Sequence, residues 1–173
     1  MKLSYLIKGF PGHPLHPPLT DATIGIYTAS IIFAVLSVAG VASEEMTKGW
    51  WLTLIFGLIV SAVTALTGLV DWLTITWRSE LWWTATWHML AMVSATIVFG
   101  LAAIFGHDNY VNADMSAGSF VLTLIGYGLL TLGGWLGGSV VFVHGMRVLS
   151  LPEEPTERAV TPGRPEKEMA EGS

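Results

Sequence analysis

The histidines and two aspartates of this 173-residue chain are its best candidates for binding a cofactor. Neutral imidazole ligates haem iron, zinc, copper or non-haem iron, and a nearby acceptor commonly fixes which ring nitrogen carries the proton. The chain has no cysteine, which excludes disulfides, thiolate-held iron–sulfur clusters and haem attached through a Cys-x-x-Cys-His motif. Any cofactor would therefore be held without cysteine sulfur. The candidate metal ligands are His13, His16, His88, His144, Asp21 and Asp71.

One ionisable residue falls at the same end of each long apolar segment: Asp21, Asp71, His88 and His144. A charged group at the centre of a membrane helix costs about 2.5 to 3.5 kcal/mol, so such groups usually face a bundle interior. Stepping by helical turns from each of them meets small or polar residues, and the stripe below His144 contains Gly137. We expect the four stripes to face one another, with Gly137 leaving room for a flat macrocycle such as haem b.

The motif Gly12-His13-Pro14-Leu15-His16-Pro17-Pro18 precedes the first apolar segment. Residues before proline avoid the helical region, so we expect His13 and His16 to be extended, with their α-carbons roughly 9 Å apart. That spacing is too long for easy chelation of one ion. A cofactor-binding set of His13, His16, His88 and His144 is expected, with the axial pairing, His16 with His88 among others, left open. The competing interpretation makes Asp21 a helix N-cap and the histidines ordinary interfacial residues.

Four apolar stretches of about 20 residues must position these side chains, and that length crosses a hydrocarbon core. A mean hydropathy of +0.59 with 12% charged residues agrees with an integral membrane protein. The predicted fold class is all-α, a membrane four-helix bundle running up-down-up-down. The predicted units are 1–20, an N-terminal segment; 21–149, the bundle; and 150–173, a disordered acidic tail. The expected spans run from Asp21 to Ser43, Trp50 to Leu73, Trp83 to Gly106 and Ser119 to Val143.

The charge distribution predicts that both termini are cytoplasmic. The face with the termini carries Lys2, Lys8, Arg78 and Arg147 before the tail is counted, whereas the opposite loops carry only Lys48 among four acidic residues. We expect the tryptophans near span ends, Trp50 included, to anchor the bundle at the headgroup level. Glycines and other small residues inside the spans favour close helix packing. No internal repeat is evident.

Several of these motifs together resemble the bacterial family labelled domain of unknown function twenty-two thirty-one. They are Gly12-His13-Pro14-Leu15-His16-Pro17, Asp21, Ile24-Gly25, Gly68-Leu69-Val70-Asp71-Trp72, His88, Gly134-Trp135-Leu136-Gly137-Gly138 and His144-Gly145. The resemblance covers residues near 9 to 148 and implies a multi-pass protein of the bacterial inner membrane. Some relatives accompany Rieske-type iron–sulfur domains, and this resemblance implies that the chain functions alongside redox proteins. Ser139 stands where family members often carry glutamate, so no function is assigned to that position.

These features predict a membrane redox protein that binds haem b or a transition metal and exchanges electrons with a partner. The alternative is a cofactor-free accessory subunit of a respiratory or photosynthetic complex. A small proton-relaying transporter is a third possibility, although the outer halves of the helices offer almost no polar path. Charge and motifs give no sign of nucleic-acid binding, and no hydrolase or kinase motif indicates that the chain is an enzyme by itself.

Overall fold

A computed structural model describes residues 5–10 and 12–161 of the chain. Four helices are long and apolar enough to cross a membrane: α2 (His16–Val38), α3 (Ser43–Trp72), α4 (Glu80–Phe105) and α6 (Ala117–Gly138), the last continuing as a π-helical turn, Ser139–Val143. The shorter elements are α1 (Tyr5–Lys8), the antiparallel strands β1 (Gly9–Phe10) and β2 (His13–Pro14), α5 (His107–Asn112) and α7 (Thr156–Ala159). The prediction of four helices that are long and apolar enough to cross a membrane is confirmed.

The first span begins earlier than predicted, at His16 instead of Asp21. His13 is extended in β2, but the prediction that His16 is extended was wrong, because Pro17 and Pro18 occupy the first turn of α2. Proline is tolerated there since the first amides of a helix have no intrahelical acceptor. Asp21 consequently lies inside α2 and is exposed, so its alternative role as an N-cap was wrong too.

The long helices form two hairpins, α2 with α3 and α4 with α6, and the contacts between hairpins are fewer. Near mid-bundle the hairpins meet through Tyr27 and Phe99, whose rings stack with centroids 4.0 Å apart. Each ring also lies on a glycine of its own hairpin: a Cβ on Gly57 would be 2.5 Å from Tyr27, and one on Gly126 would be 2.7 Å from Phe99. The prediction that small residues permit close packing is confirmed at Gly57.

Trp50 is a core residue rather than an interfacial anchor, which corrects the prediction for that tryptophan. Its side chain is fully buried, and its indole Nε1 donates to Thr123 Oγ1 at 3.0 Å. A Cβ on Gly106 would be 2.3 Å from the Trp50 ring, so glycine at that position makes the space. Because the indole N–H already has a hydrogen-bond acceptor inside the bundle, it does not need one at the headgroup level.

Residues from both ends of the described chain lie over the same end of the bundle. α1 contacts α3, and Gly12 lies beside Leu149, since a Cβ at position 12 would be 3.2 Å from the leucine side chain. Of the tail predicted to be disordered, 150–161 includes α7, while 162–173 lie outside the described residues.

Candidate functional site

His16, the first residue of α2, lies across the last turns of α3. A Cβ on Gly68 would be only 2.6 Å from Cε1 of the imidazole, so the ring fits because position 68 has no side chain. Nδ1 lies 3.2 Å from the Thr64 carbonyl oxygen and 3.1 Å from Thr67 Oγ1. A carbonyl can only accept, so Nδ1 carries the proton and Nε2 of the neutral ring carries the lone pair. Thr20 Oγ1, 3.5 Å from Nε2, is the one hydroxyl beside it among the described residues.

His88 is held in the same way by the second hairpin. Its ring lies on Gly137, where a Cβ would be 2.9 Å from Cε1, and Nδ1 donates to the Gly133 carbonyl oxygen at 2.7 Å. This bond again places the proton on Nδ1 and the lone pair on Nε2. Within the described part of the chain, no polar atom is within hydrogen-bonding distance of Nε2 of His88. Its lone pair is therefore available to a ligand.

The two hairpins are built alike around these histidines. In each, the imidazole precedes the central aromatic ring by eleven residues (16 to 27 and 88 to 99), and the two glycines beneath them are also eleven apart (57 to 68 and 126 to 137). Eleven residues are close to three helical turns, so histidine and aromatic ring share a helix face. This arrangement brings the two imidazoles together, with ring centroids 6.5 Å apart and planes inclined at 78°.

A cavity of about 710 Å³ lies between the hairpins, and both imidazoles line it. We call it the interhairpin cavity. Most of its wall is apolar, including Met89, Met92 and Val140. Its volume lies within the range of roughly 300 to 1,000 Å³ usual for sites that bind small molecules and cofactors. An apolar cavity with two imidazole lone pairs can hold a flat, mostly hydrophobic ligand that takes nitrogen donors.

An ion pair lies at the histidine end of this cavity. Arg147 Nη2 donates to Asp71 Oδ1, and the Asp71 side chain is only 8% exposed, against 34% for Arg147. The pair joins α3 to the segment after the π-helical turn and so links the two hairpins. We call this end, defined by Asp71 and Arg147, the cavity mouth. Sequence reasoning counted Arg147 only as a surface charge, and no local signal paired it with a residue 76 positions away.

Of the other predicted site residues, Gly137 and Asp71 line the same cavity as the histidine pair, whereas His13 and His144 lie outside it. His13 is exposed on β2, and His144 is exposed after the π-helical turn, where its Nε2 lies 3.0 Å from Thr84 Oγ1. Asp21 is exposed at the cavity rim. Across 5–10 and 12–161, no three histidine, aspartate or glutamate side chains are placed to hold one metal ion. Of the six candidate ligands, the structure brings only His16 and His88 ring to ring.

The sequence pattern predicts only a small or polar stripe for Gly68, Thr64 and Thr67 and gives no sign of their contacts with His16. The equal eleven-residue spacings are the signal that could have identified the glycines as the positions against which the rings pack.

In comparisons with known proteins, a family model described as predicted membrane protein (DUF2231) matches residues 12–150. No curated protein and no solved structure matches.

Proposed function

The chain belongs to the DUF2231 family of predicted membrane proteins, and we propose that it is a membrane redox protein that binds haem b between His16 and His88. The observation that carries this proposal is the imidazole pair itself. Both rings line one apolar cavity, both bind a helix carbonyl through Nδ1, and both leave Nε2 with a lone pair.

The separation of the rings supports a shared iron. An imidazole nitrogen lies about 2 Å from a metal it ligates and about 1 Å from its own ring centroid, so two rings that each gave Nε2 to one metal would have centroids roughly 6 Å apart if both nitrogens pointed at it. The observed separation is 6.5 Å. Histidine is the commonest axial ligand of protein haem, and a backbone acceptor on the second ring nitrogen is the usual way to orient such a ligand. A single transition-metal ion held by the whole histidine and aspartate set is supported less well, because that set is dispersed.

Each hairpin would supply one ligand and the groups that orient it. The carbonyls of Thr64 and Gly133 fix the two imidazoles, and Gly68 and Gly137 give the rings room against their helices. Haem, when bound, supplies a one-electron carrier, while the protein sets its surroundings. The apolar wall of the cavity would keep water away from it.

We further propose that the histidine end faces the cytoplasm of a bacterial inner membrane, where a redox partner would exchange electrons with the site. Among the described residues, Lys8, Arg78 and Arg147 belong to segments at this end, and the only lysine or arginine at the other end is Lys48, near the start of α3. Cytoplasmic loops carry the excess of lysine and arginine in membrane proteins. The bacterial setting rests on the family resemblance.

Haemin titration of purified histidine-to-alanine variants tests the proposed ligands. We expect His16→Ala and His88→Ala each to lose most of the haem absorbance at one equivalent, since either change removes an iron ligand. His13→Ala and His144→Ala are matched controls, because they remove exposed imidazoles and should bind like the wild type. Circular dichroism on every variant checks that the helices are intact.

Full haem binding by folded His16→Ala and His88→Ala proteins would overturn the proposed ligand pair. A wild-type protein that takes up neither haem nor a stoichiometric metal, and that co-purifies with a larger complex in mild detergent, would favour the accessory-subunit alternative instead.

A further inference from the structure

Arg147 is the one lysine or arginine that lines the interhairpin cavity among the described residues. We infer that Arg147 recognises a carboxylate on the edge of the bound ligand, so that the cavity accepts an amphiphile with a flat apolar body and an acidic margin. This inference rests on the proposed function, because haem b has that shape and carries two propionates.

The backbone around Arg147 is arranged to bring the guanidinium over the cavity. The π-helical turn Ser139–Val143 ends α6, and Gly145 (φ 67°) and Arg147 itself (φ 62°) then adopt left-handed conformations. A left-handed conformation is unfavourable for a residue other than glycine, so it persists where the surrounding structure holds it. In this conformation Arg147 forms the ion pair with Asp71 on the opposite hairpin.

The guanidinium group of Arg147 has N–H donors that its contact with Asp71 does not use. Arginine carries five N–H donors, and within the described chain Arg147 uses only Nη2, for Asp71. A second carboxylate could therefore bind Arg147 without displacing Asp71. Asp71 would act as a positioning residue that holds the guanidinium at the mouth.

The carboxylate of Asp21 has a charge opposite to that of Arg147, so it allows a second test of the inference with the opposite expected result. Its exposed carboxylate belongs to the cavity rim, so it repels an acidic ligand that approaches the mouth. Neutralising Asp21 should strengthen acid binding, and neutralising Arg147 should weaken it. Neither change should alter the binding of an uncharged ligand of the same shape.

Metal-free protoporphyrin IX and its dimethyl ester are suitable probes, because neither needs an axial ligand and only the first carries carboxylates. Fluorescence titration of protein in lipid nanodiscs would measure both affinities. Each probe is compared across variants, so its partition into lipid cancels. We expect Arg147→Gln to weaken protoporphyrin binding by about tenfold or more, the scale of a charge-assisted hydrogen bond, and to leave the ester unchanged. Asp21→Asn should strengthen binding of the acid alone.

A double variant controls for the possibility that Arg147→Gln loses binding because it misfolds. Arg147→Gln leaves Asp71 buried without its cation, whereas Asp71→Asn/Arg147→Gln leaves no unpaired charge and should show the same loss for the acid. If both probes bind and no Arg147 variant discriminates between them, the inference is overturned while the proposed cavity stands. If neither probe binds the wild-type protein, the inference is overturned, and the proposed haem site is judged separately by the haemin titration.

Discussion

Substitution of Gly68 by alanine should impair cofactor binding with little effect on the stability of the bundle. The new Cβ would lie 2.6 Å from Cε1 of His16, so reaching ordinary contact at 3.4 Å displaces the ring by about 0.8 Å. A ring pushed away from α3 by that amount carries Nδ1 from 3.2 Å to roughly 4 Å from the Thr64 carbonyl oxygen, beyond hydrogen-bond range.

The lost hydrogen bond is worth about 1 kcal/mol in stability. Alanine restores about 0.8 to 1 kcal/mol of helix propensity, so the two effects nearly cancel. For haem affinity, no gain offsets the lost hydrogen bond. Loss of the partner that orients a metal-ligating histidine typically costs 10- to 100-fold in affinity. We therefore expect haem affinity to fall by one to two orders of magnitude while the thermal midpoint in detergent changes little.

Gly100→Ala on α4 is the matched control, because its Cβ would lie 3.9 Å from Leu58 Cδ2, an ordinary contact, and Gly100 does not line the interhairpin cavity. That variant should bind haem like the wild type. Gly137→Ala, where the Cβ would be 2.9 Å from His88, should behave like Gly68→Ala. Equal haem affinities for Gly68→Ala and Gly100→Ala would refute the assignment of Gly68 as the residue that makes room for an iron ligand.

Three further predictions concern the buried polar contacts. Asp71→Asn and Arg147→Gln should each lower the thermal midpoint by an amount equivalent to about 1 to 3 kcal/mol, because each leaves the other residue of the ion pair without its partner. The double variant should recover part of this loss. Strictly additive losses would show that the two residues are not coupled. Trp50→Phe should cost about 1 kcal/mol in a denaturation assay, since it removes the hydrogen bond to Thr123; an unchanged midpoint would contradict the importance of that bond. Tyr27→Phe should cost a similar amount by loss of its hydroxyl contact while the stacked ring stays, so a much larger loss would indicate disrupted packing.

The four spans were predictable because lipid imposes a simple length and polarity requirement on a helix. The errors fall at helix ends, where that requirement is weak. The two prolines after His16 predict a later start of the first span, but a helix tolerates proline in its first turn. Trp50 was assigned to the interface because tryptophan prefers it, and only the structure shows the buried acceptor on Thr123.

The site was predictable in residue type but not in pairing. His16 and His88 belonged to the expected set, yet nothing in local sequence distinguishes them from His13 and His144. What distinguishes them is a glycine one helix later, Gly68 for His16 and Gly137 for His88, and such pairs are separated by about 50 residues of unrelated sequence. The similarity of the hairpins lies in these few contacts, which explains why no repeat was evident in the sequence.

The most direct test of the central claim is the reduced-minus-oxidised visible spectrum of protein purified after expression with adequate haem supply. The account predicts a haem b spectrum of two nitrogen ligands for the wild type and for His13→Ala/His144→Ala. It predicts the loss of that spectrum for His16→Ala/His88→Ala. A colourless wild-type protein without bound iron, or an unaltered spectrum in folded His16→Ala/His88→Ala, would contradict the claim that these two imidazoles hold a haem between the hairpins.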